Sequence, residues 1–292
     1  MTTRQEARIS MMQPRKPRSL ILDLFGDYLR YVGCEVRAGD LVALLGVLGV
    51  EPATARVTLS RLRQEGWFTT RRTGRETIYR LSDEMLDVLD QGRERIFAPY
   101  ESTWDGWWTQ VIVQSPESDR STRDQLRKRL SWMGFGALSP STWLSPRDLR
   151  RAVPALQAEF PAASIDLMVA RTDDPVEDGR LAHRCWDLET LNADYSVFVA
   201  EHSALRSETA TLEGAEALVV RTELVSTYRH FPFRDPSLPT ALRPAGWFGA
   251  QAHELFLELH DALAPAAMEY VAAVIDIDTI AFQDAPALAR NV

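Results

Sequence analysis

The chain has 292 residues, 45% of them hydrophobic, with 33 Lys plus Arg against 41 Asp plus Glu and a formal net charge of -8, a globular composition that excludes disordered and fibrous classes. A chain of this size buries roughly 75% of the surface its unfolded form exposes, so two or three domains are expected, with no need of a disulfide or metal to hold their cores. Cys34 and Cys185 lie in no Cys-x-x-Cys or Cys/His cluster, and there is neither a secretory h-region nor a run of eighteen apolar residues, which leads us to expect a cytoplasmic protein without a membrane span.

The charge is unevenly placed. Residues 1–81 carry 14 basic and 8 acidic side chains, whereas the remainder carries 19 and 33. A basic head on an acidic body suits a nucleic-acid-binding module joined to domains with another task.

In chain order, residues 1–18 hold Pro14, Pro17 and five basic residues without periodicity and read as a flexible basic arm. Ser19 reads as the N-cap of a helix through Leu20, Leu24, Tyr28 and Tyr31 that stops at Gly33. Asp40 reads as the cap of a short helix through Leu41, Leu44, Leu45 and Leu48. Pro52 suits the first turn of a third helix, with Gly66 just past its end. Trp67–Thr73 and Glu76–Leu81 read as strands around Gly74. Helix, helix, helix, hairpin is the order of a winged helix-turn-helix, assigned with the following helix (Ser82–Ala98) to residues 19–98.

After a linker containing Pro99 and Gly106, Trp107–Gln114 reads as a strand, Ser121–Trp132 as a helix, Ser141–Leu144 as a strand, Arg147–Phe160 as a helix and Ile165–Ala170 as an apolar strand. Residues 107–180 are therefore expected to form an α/β, ferredoxin-like unit. From Trp186 onward the spacing is helical, interrupted by the proline-rich stretch Pro232–Pro244, so residues 185–292 are expected to be helical. The fold class is multidomain α+β.

On the third helix, Ala55, Leu59 and Leu62 share one face at spacings of three and four, which predicts a core side. The other side presents Ala53, Thr54, Val57, Ser60, Arg61 and Gln64, flanked by Arg56 and Arg63. A recognition helix needs this composition: small residues let the backbone enter the major groove, Val57 or Thr54 can touch a thymine methyl, and Arg61 can bond guanine O6 and N7 together. Arg56 and Arg63 are better placed for phosphates. Arg71, Arg72 and Arg75 stand on the hairpin, where a wing meets phosphate or the minor groove. The plainer alternative is a solvated helix that contacts protein.

The residues Ala53 through Leu62, then Glu65-Gly66-Trp67, Gly74-Arg75 and Tyr79-Arg80-Leu81, together resemble the PaaX family of transcriptional regulators. Trp186-Asp187-Leu188, the segment Phe231 through Pro239, Leu242-Arg243-Pro244 and Gly246-Trp247 resemble the C-terminal segments of the same family. The resemblance runs from Ser19 to about Leu263. It implies a winged-helix head, a middle domain similar to the Cas2 fold, and a helical C-terminal domain that senses an effector. It also implies a dimeric repressor of an aromatic-acid catabolic operon, released from its double-stranded DNA operator by an aryl-CoA thioester such as phenylacetyl-CoA.

Nucleases of the middle domain's fold place an Asp at the end of the first strand to hold a metal. Here that strand runs into Val113-Gln114-Ser115-Pro116, with Glu117 the nearest acid, so the domain is expected to serve dimerisation rather than catalysis. His253 and His260 stand seven apart on one helical face without a third ligand motif and are expected to pack or hydrogen-bond rather than bind metal. Arg229, Arg234 and Trp247 are the expected effector contacts, because an aryl-CoA offers a ring to stack and phosphates to pair; the alternative is a loop pinned by prolines and ordinary Arg–carboxylate pairs. No catalytic triad, glycine-rich phosphate loop or paired-carboxylate motif stands out. No enzyme activity or cofactor is expected, and the runner-up is an enzyme that processes nucleic acid or a thioester with the same body.

Overall fold

Residues 15–100, 104–115 and 119–277 are described by the structure, a computed structural model. Residues 1–14 of the expected arm, and Pro116 and Glu117, lie outside them. The chain divides into two units: one holds residues up to Ala98, Ala200–His230 and the chain from Glu254 onward, the other Pro99–Val199 and Phe231–His253. Residues 185–292 thus contribute to both.

In the first unit, α1 (Pro17–Asp27) begins two residues before the expected cap. Proline is suited to the first turn, where its missing N–H would have no partner. Ser19 lies inside the helix, and its hydroxyl accepts from the Arg229 guanidinium. A 3-10 turn, Leu29–Val32, ends at Gly33 with φ 81°, a left-handed conformation that favours glycine. Next comes β1 (Glu35–Arg37), three residues long and too short for periodicity to reveal. Helix α2 (Ala38–Val47) starts ahead of Asp40, which sits in its first turn rather than at the cap, where its charge suits the positive helix end. Helix α3 (Pro52–Gln64) carries its proline at the first turn, as expected. Strands β2 (Phe68–Thr73) and β3 (Glu76–Leu81) form a hairpin, and β1 adds to it antiparallel, in the order β1-β3-β2. Helix α4 (Asp83–Ile96) follows.

The second unit opens with β4 (Trp108–Gln114), then α5 (Arg120–Met133), β5 (Gly136–Ala137), β6 (Thr142–Ser145), α6 (Val153–Glu159) and β7 (Ser164–Ala170). Its sheet is antiparallel in the order β5-β6-β4-β7, and with β-α-β-β-α-β connectivity this is a ferredoxin-like arrangement. Strand alternation sends Val111 to a core with Leu126, Leu130, Trp143 and Leu156, and Trp108 to a separate cluster with Leu144, Leu188, Leu238 and Leu242. The helix expected over Arg147–Phe160 forms only in its second half. Asp148 accepts from the backbone N–H of Arg150 and pairs with its guanidinium, holding a turn there; Pro154 is tolerated only in a first turn. Three further helices, α7 (Pro175–Cys185), α8 (Leu188–His202) and α9 (Gly214–Tyr228), precede the proline-rich interruption. A short α10 (Phe231–Arg234) lies within it, and α11 (Gly249–Ile275) closes the described chain.

The first unit has one continuous core. Leu20, Leu24 and Phe25 of α1 and Leu59 and Leu62 of α3 cluster with Leu218 and Val219 of α9 and Leu263 and Val271 of α11. Each fully buried Leu, Val or Phe contributes about 1.5–3 kcal/mol relative to exposure, so the N-terminal helices depend on partners two hundred residues away.

Polar groups are buried in the same unit. Arg221 of α9 is 0% exposed; its guanidinium lies 2.6 Å from Asp27 of α1 and its Nε donates to the carbonyl of His260 at 3.0 Å. The ring of His260, also fully buried, sits 2.9 Å from the second Asp27 oxygen. Asp23, one turn earlier on α1, pairs with Arg229 at 2.9 Å and accepts from Ser226. Burial alone would raise the Asp27 carboxyl, but Arg221 and His260 outweigh it and hold the group below the usual range. For Asp23 burial prevails over Arg229 and Ser226, and its pKa is raised to about 6.

Two expectations follow from this cluster. Arg221→Met should lower stability by about 3–5 kcal/mol, since it strands the Asp27 carboxylate in the core; equilibrium urea unfolding measures it, and a loss below 1 kcal/mol contradicts the role. Asp23 binds its proton more tightly folded than unfolded, so its contribution to stability is complete below the ordinary value of 3.8 and is lost as the pH rises through about 6. Asp23→Asn should therefore remove that component of the decline, which urea unfolding across this interval will detect.

Candidate nucleic-acid interface

Helix α3 follows α2 after a short turn, and Gly49 adopts φ 83° between them. Ala55, Leu59 and Leu62 are buried, so the helix is fixed by one side. Thr54, Arg56, Val57, Arg61 and Gln64 are exposed and Ser60 is partly so. Val57 is 69% exposed, an apolar side chain left in water at the middle of a face otherwise built from Thr, Ser, Arg and Gln. Thr58, on the margin, returns its hydroxyl to the Thr54 carbonyl at 2.8 Å. The expected recognition side chains therefore share one open surface.

Arg61 is paired with Glu65 one turn on, at 3.3 Å. The pair is exposed, and such pairs contribute about 0–1 kcal/mol, so the guanidinium is free to exchange its partner. Glu65 also takes Arg18 at 2.8 Å, and Arg18 lies 4.0 Å over the Trp67 ring. That contact ties the start of α1 to the loop after α3.

On the hairpin, Gly74 takes φ 62° at the tip. Arg71 pairs with Glu35 of β1 at 2.8 Å and donates to Thr73, which makes it a brace for the sheet. Arg72 and Arg75 are exposed. Together with Arg56 and Arg63 they form no ion pair among the described residues, leaving four uncommitted cations on the helix and hairpin. Arg56, Arg75 and Arg37 also line a groove of about 500 Å³ beside the first turn of α2 and Tyr79, where the positive helix end adds to the field. Asp40 in that turn has its pKa raised by burial, with Arg37 opposing.

The three residues expected to meet an effector have separate partners. Arg229 belongs to the first unit and is committed to Asp23 and Ser19. Arg234 and Trp247 belong to the second: Arg234 pairs with Asp194 at 2.6 Å, and Trp247 Nε1 donates to the Tyr100 hydroxyl at 2.5 Å. Arg243 donates to the carbonyls of Leu238 and Tyr100. These bonds tie the proline-rich segment to α8 and to the chain ahead of β4. Tyr100 and Tyr195 both donate to Asp235, at 2.9 and 2.8 Å. His260 is held by Asp27 and Arg221, and the His253 ring stacks on Tyr100 with centroids 5.6 Å apart. Among the described residues no cluster of three or more His, Cys, Asp or Glu could hold a metal ion, and no described helix is long and apolar enough to cross a membrane.

Sequence reasoning missed the pair Asp23 and Asp27. The available signal was two carboxylates at i and i+4 on the apolar side of α1, beside Leu20 and Leu24, where an unpaired charge is not tolerated.

Comparison with known proteins matches residues 16–85 to the PaaX-like protein family, 101–182 to the PaaX protein central Cas2-like domain and 186–273 to the PaaX-like protein C-terminal domain. The chain is 34% identical over 267 residues to the transcriptional repressor PaaX of Escherichia coli (strain K12), covering 88% of this chain and 84% of the relative. A solved structure of an uncharacterized protein from Mycobacterium tuberculosis superposes with a TM-score of 0.57 at 26% identity, over 89% of this chain and 98% of that one.

Proposed function

The chain belongs to the PaaX family, and from that premise we propose that it is a DNA-binding transcriptional repressor whose residues from α1 to β3 act as a winged helix-turn-helix. The observation that carries this reading is the exposed face of α3, centred on Val57 and continued by the uncommitted arginines of the hairpin. The element order supports it: α1, β1, α2, α3 and a hairpin whose second strand pairs with β1. In this reading α3 enters the major groove. Thr54, Val57, Ser60, Arg61 and Gln64 meet base edges; Arg56, Arg72 and Arg75 meet the backbone, and Arg71 reaches it by exchanging its exposed pairing with Glu35.

The family resemblance extends the proposal. The repressed genes belong to an aromatic-acid catabolic operon, and an aryl-CoA thioester such as phenylacetyl-CoA releases the protein. Release requires that the thioester bind the DNA-free form more tightly, since equal affinity for both forms shifts nothing. The repressor works as a homodimer. Strand β7, an edge strand, leaves Leu167, Met168 and Val169 38–46% exposed; an open apolar edge invites pairing, and two copies of it pair antiparallel across a twofold axis.

Arg61→Ala should weaken operator binding by about 1–3 kcal/mol while leaving random DNA nearly unaffected, whereas Arg72→Ala should weaken both and lower the salt slope by about one. Gel-shift titrations at several salt concentrations separate the two, and an equal loss on both DNAs for Arg61→Ala removes the base-reading role. Replacing Leu167 and Met168 together by Glu should give a monomer in analytical ultracentrifugation, with weaker operator binding; a variant that stays dimeric places the dimer contact elsewhere.

A further inference from the structure

The second unit contains a groove of about 860 Å³ whose chemistry the DNA-binding reading does not use. It lies where β4 begins, with Trp104, Trp107 and Trp108 on its walls, Pro146 and Pro239 beside them and Arg147 and Arg150 among its polar residues. Concave, aromatic-lined sites of this size with a few polar groups are where small ligands bind.

The tryptophans are held in place rather than loosely collected. Trp108 is fully buried and its Nε1 donates to Asp178 at 2.7 Å. Trp104 packs edge-on against it, with ring centroids 5.3 Å apart, and donates its own Nε1 to the Trp107 carbonyl at 2.9 Å. The backbone N–H of Trp107 is fixed by Asp105 at 3.0 Å, and Gly106 supplies φ 83° for the tight turn. Trp107 is nevertheless 44% exposed, an aromatic surface built to a fixed position and left facing water. Arg171 lies 5.7 Å over its ring.

The groove lining also includes a cation whose charge no carboxylate among the described residues balances. Arg147 is partly buried, donates to the carbonyl of Met133, and forms no ion pair among the described residues. Its Nε is buried without a hydrogen-bond partner, a state that costs about 1–3 kcal/mol when nothing satisfies it. Burial lowers its pKa, with no carboxylate acting against the shift. Arg150 is already matched by Asp148, and Asp105, the other acid in the lining, is used by the turn.

We propose that this groove binds a small ligand made of a planar aromatic ring and an anionic group, the ring against Trp104 and Trp107 and the anion toward Arg147. Tryptophan faces favour a flat π system over a saturated ring of the same size, and a partly buried guanidinium favours a carboxylate or phosphate over a cation. The site deepens the effector reading above and rests on it only for its consequence at DNA: it would place the aryl group of the releasing ligand on the second unit.

Calorimetric titration of the full chain with phenylacetate, phenylacetyl-CoA, cyclohexylacetate and 2-phenylethylamine tests the proposal, with Trp107→Ala and Arg147→Met as variants. Trp107 is exposed, so its removal leaves the core intact. We expect at least one of the two aryl anions to bind, its affinity to fall at least tenfold in Trp107→Ala and in Arg147→Met, and the saturated and cationic probes to bind at least tenfold more weakly. An aryl anion that binds wild type and Trp107→Ala equally overturns the groove while leaving the effector reading intact. Absence of binding by either aryl anion overturns the groove and the aryl-effector reading together, and operator binding by the same sample keeps the repressor reading separate. Binding that depends on Trp107 but leaves operator affinity unchanged upholds the site and removes only its regulatory consequence.

Discussion

A guanidinium with no exposure to solvent, that of Arg221, is tolerable in a protein core only if a carboxylate comes with it. Here the carboxylate is Asp27, on a helix almost two hundred residues earlier, and the buried ring of His260 from a third helix completes the set. Three segments distant in sequence must meet before any of the three charges or dipoles is satisfied. Asp23 with Arg229 and Ser226 repeats the arrangement one turn away on the same two helices. Such a network adds little net stability compared with a hydrocarbon core of equal volume, yet it penalises every packing in which α1 slides or rotates against α9. The position of α1 is thereby specified, and with it the helices that α1 supports.

That specification reaches the proposed DNA face through ordinary apolar packing. Ala55, Leu59 and Leu62 seat α3 in the core shared by α1, α9 and α11, and Arg18 clasps both Glu65 and Trp67 at the end of α3. Helix α3 is thus positioned from beneath, while its outer face makes only weak, replaceable contacts such as Arg61 with Glu65. A rigid seat and an uncommitted surface are what sequence-reading by a helix requires: geometry is set in advance, and side chains exchange solvent or an exposed partner for base edges and phosphates.

The second unit divides its work by strand position. The central strand β4 is covered on both faces, by Val111 in one core cluster and Trp108 in the other, whereas the edge strand β7 keeps an apolar row in water. A central strand has no remaining backbone donors or acceptors to offer, and an edge strand has a full row of them. The tryptophan groove stands at the end of the same strands, with Val169 of β7 in its lining. In our reading a ligand in the groove and a second copy on the edge therefore meet at one residue, which gives a physical route by which one could influence the other.

Local signals carried much of this protein. Pro52 and Gly66 bracket α3, the apolar spacing of Ala55, Leu59 and Leu62 identifies its inner side, and Gly74 marks the hairpin, because each depends on backbone freedom or a 3.6-residue period contained within a few neighbours. The family motifs and the strand-helix-strand-helix-strand succession of the middle segment were legible for the same reason, whereas β5, two residues long, left no period to read. Short elements and caps were less so: β1 has too few residues for a period, Asp40 and Ser19 serve inside helices instead of ahead of them, and Asp148 diverts the first half of an expected helix into a turn. What only the tertiary structure decided is who partners whom across long distances. Arg229 looked available for a ligand, since nothing near it in sequence is its counterion; folding brings Asp23 to it. Arg147 drew no notice among so many arginines, and it is folding that sets it, half-buried and with no ion pair among the described residues, in the lining of one groove with three tryptophans. Composition and spacing fix which groups are present and which side of a helix they share, but the fate of a charge depends on the dielectric and the partners it meets, and those are assembled from residues the chain holds hundreds of positions apart.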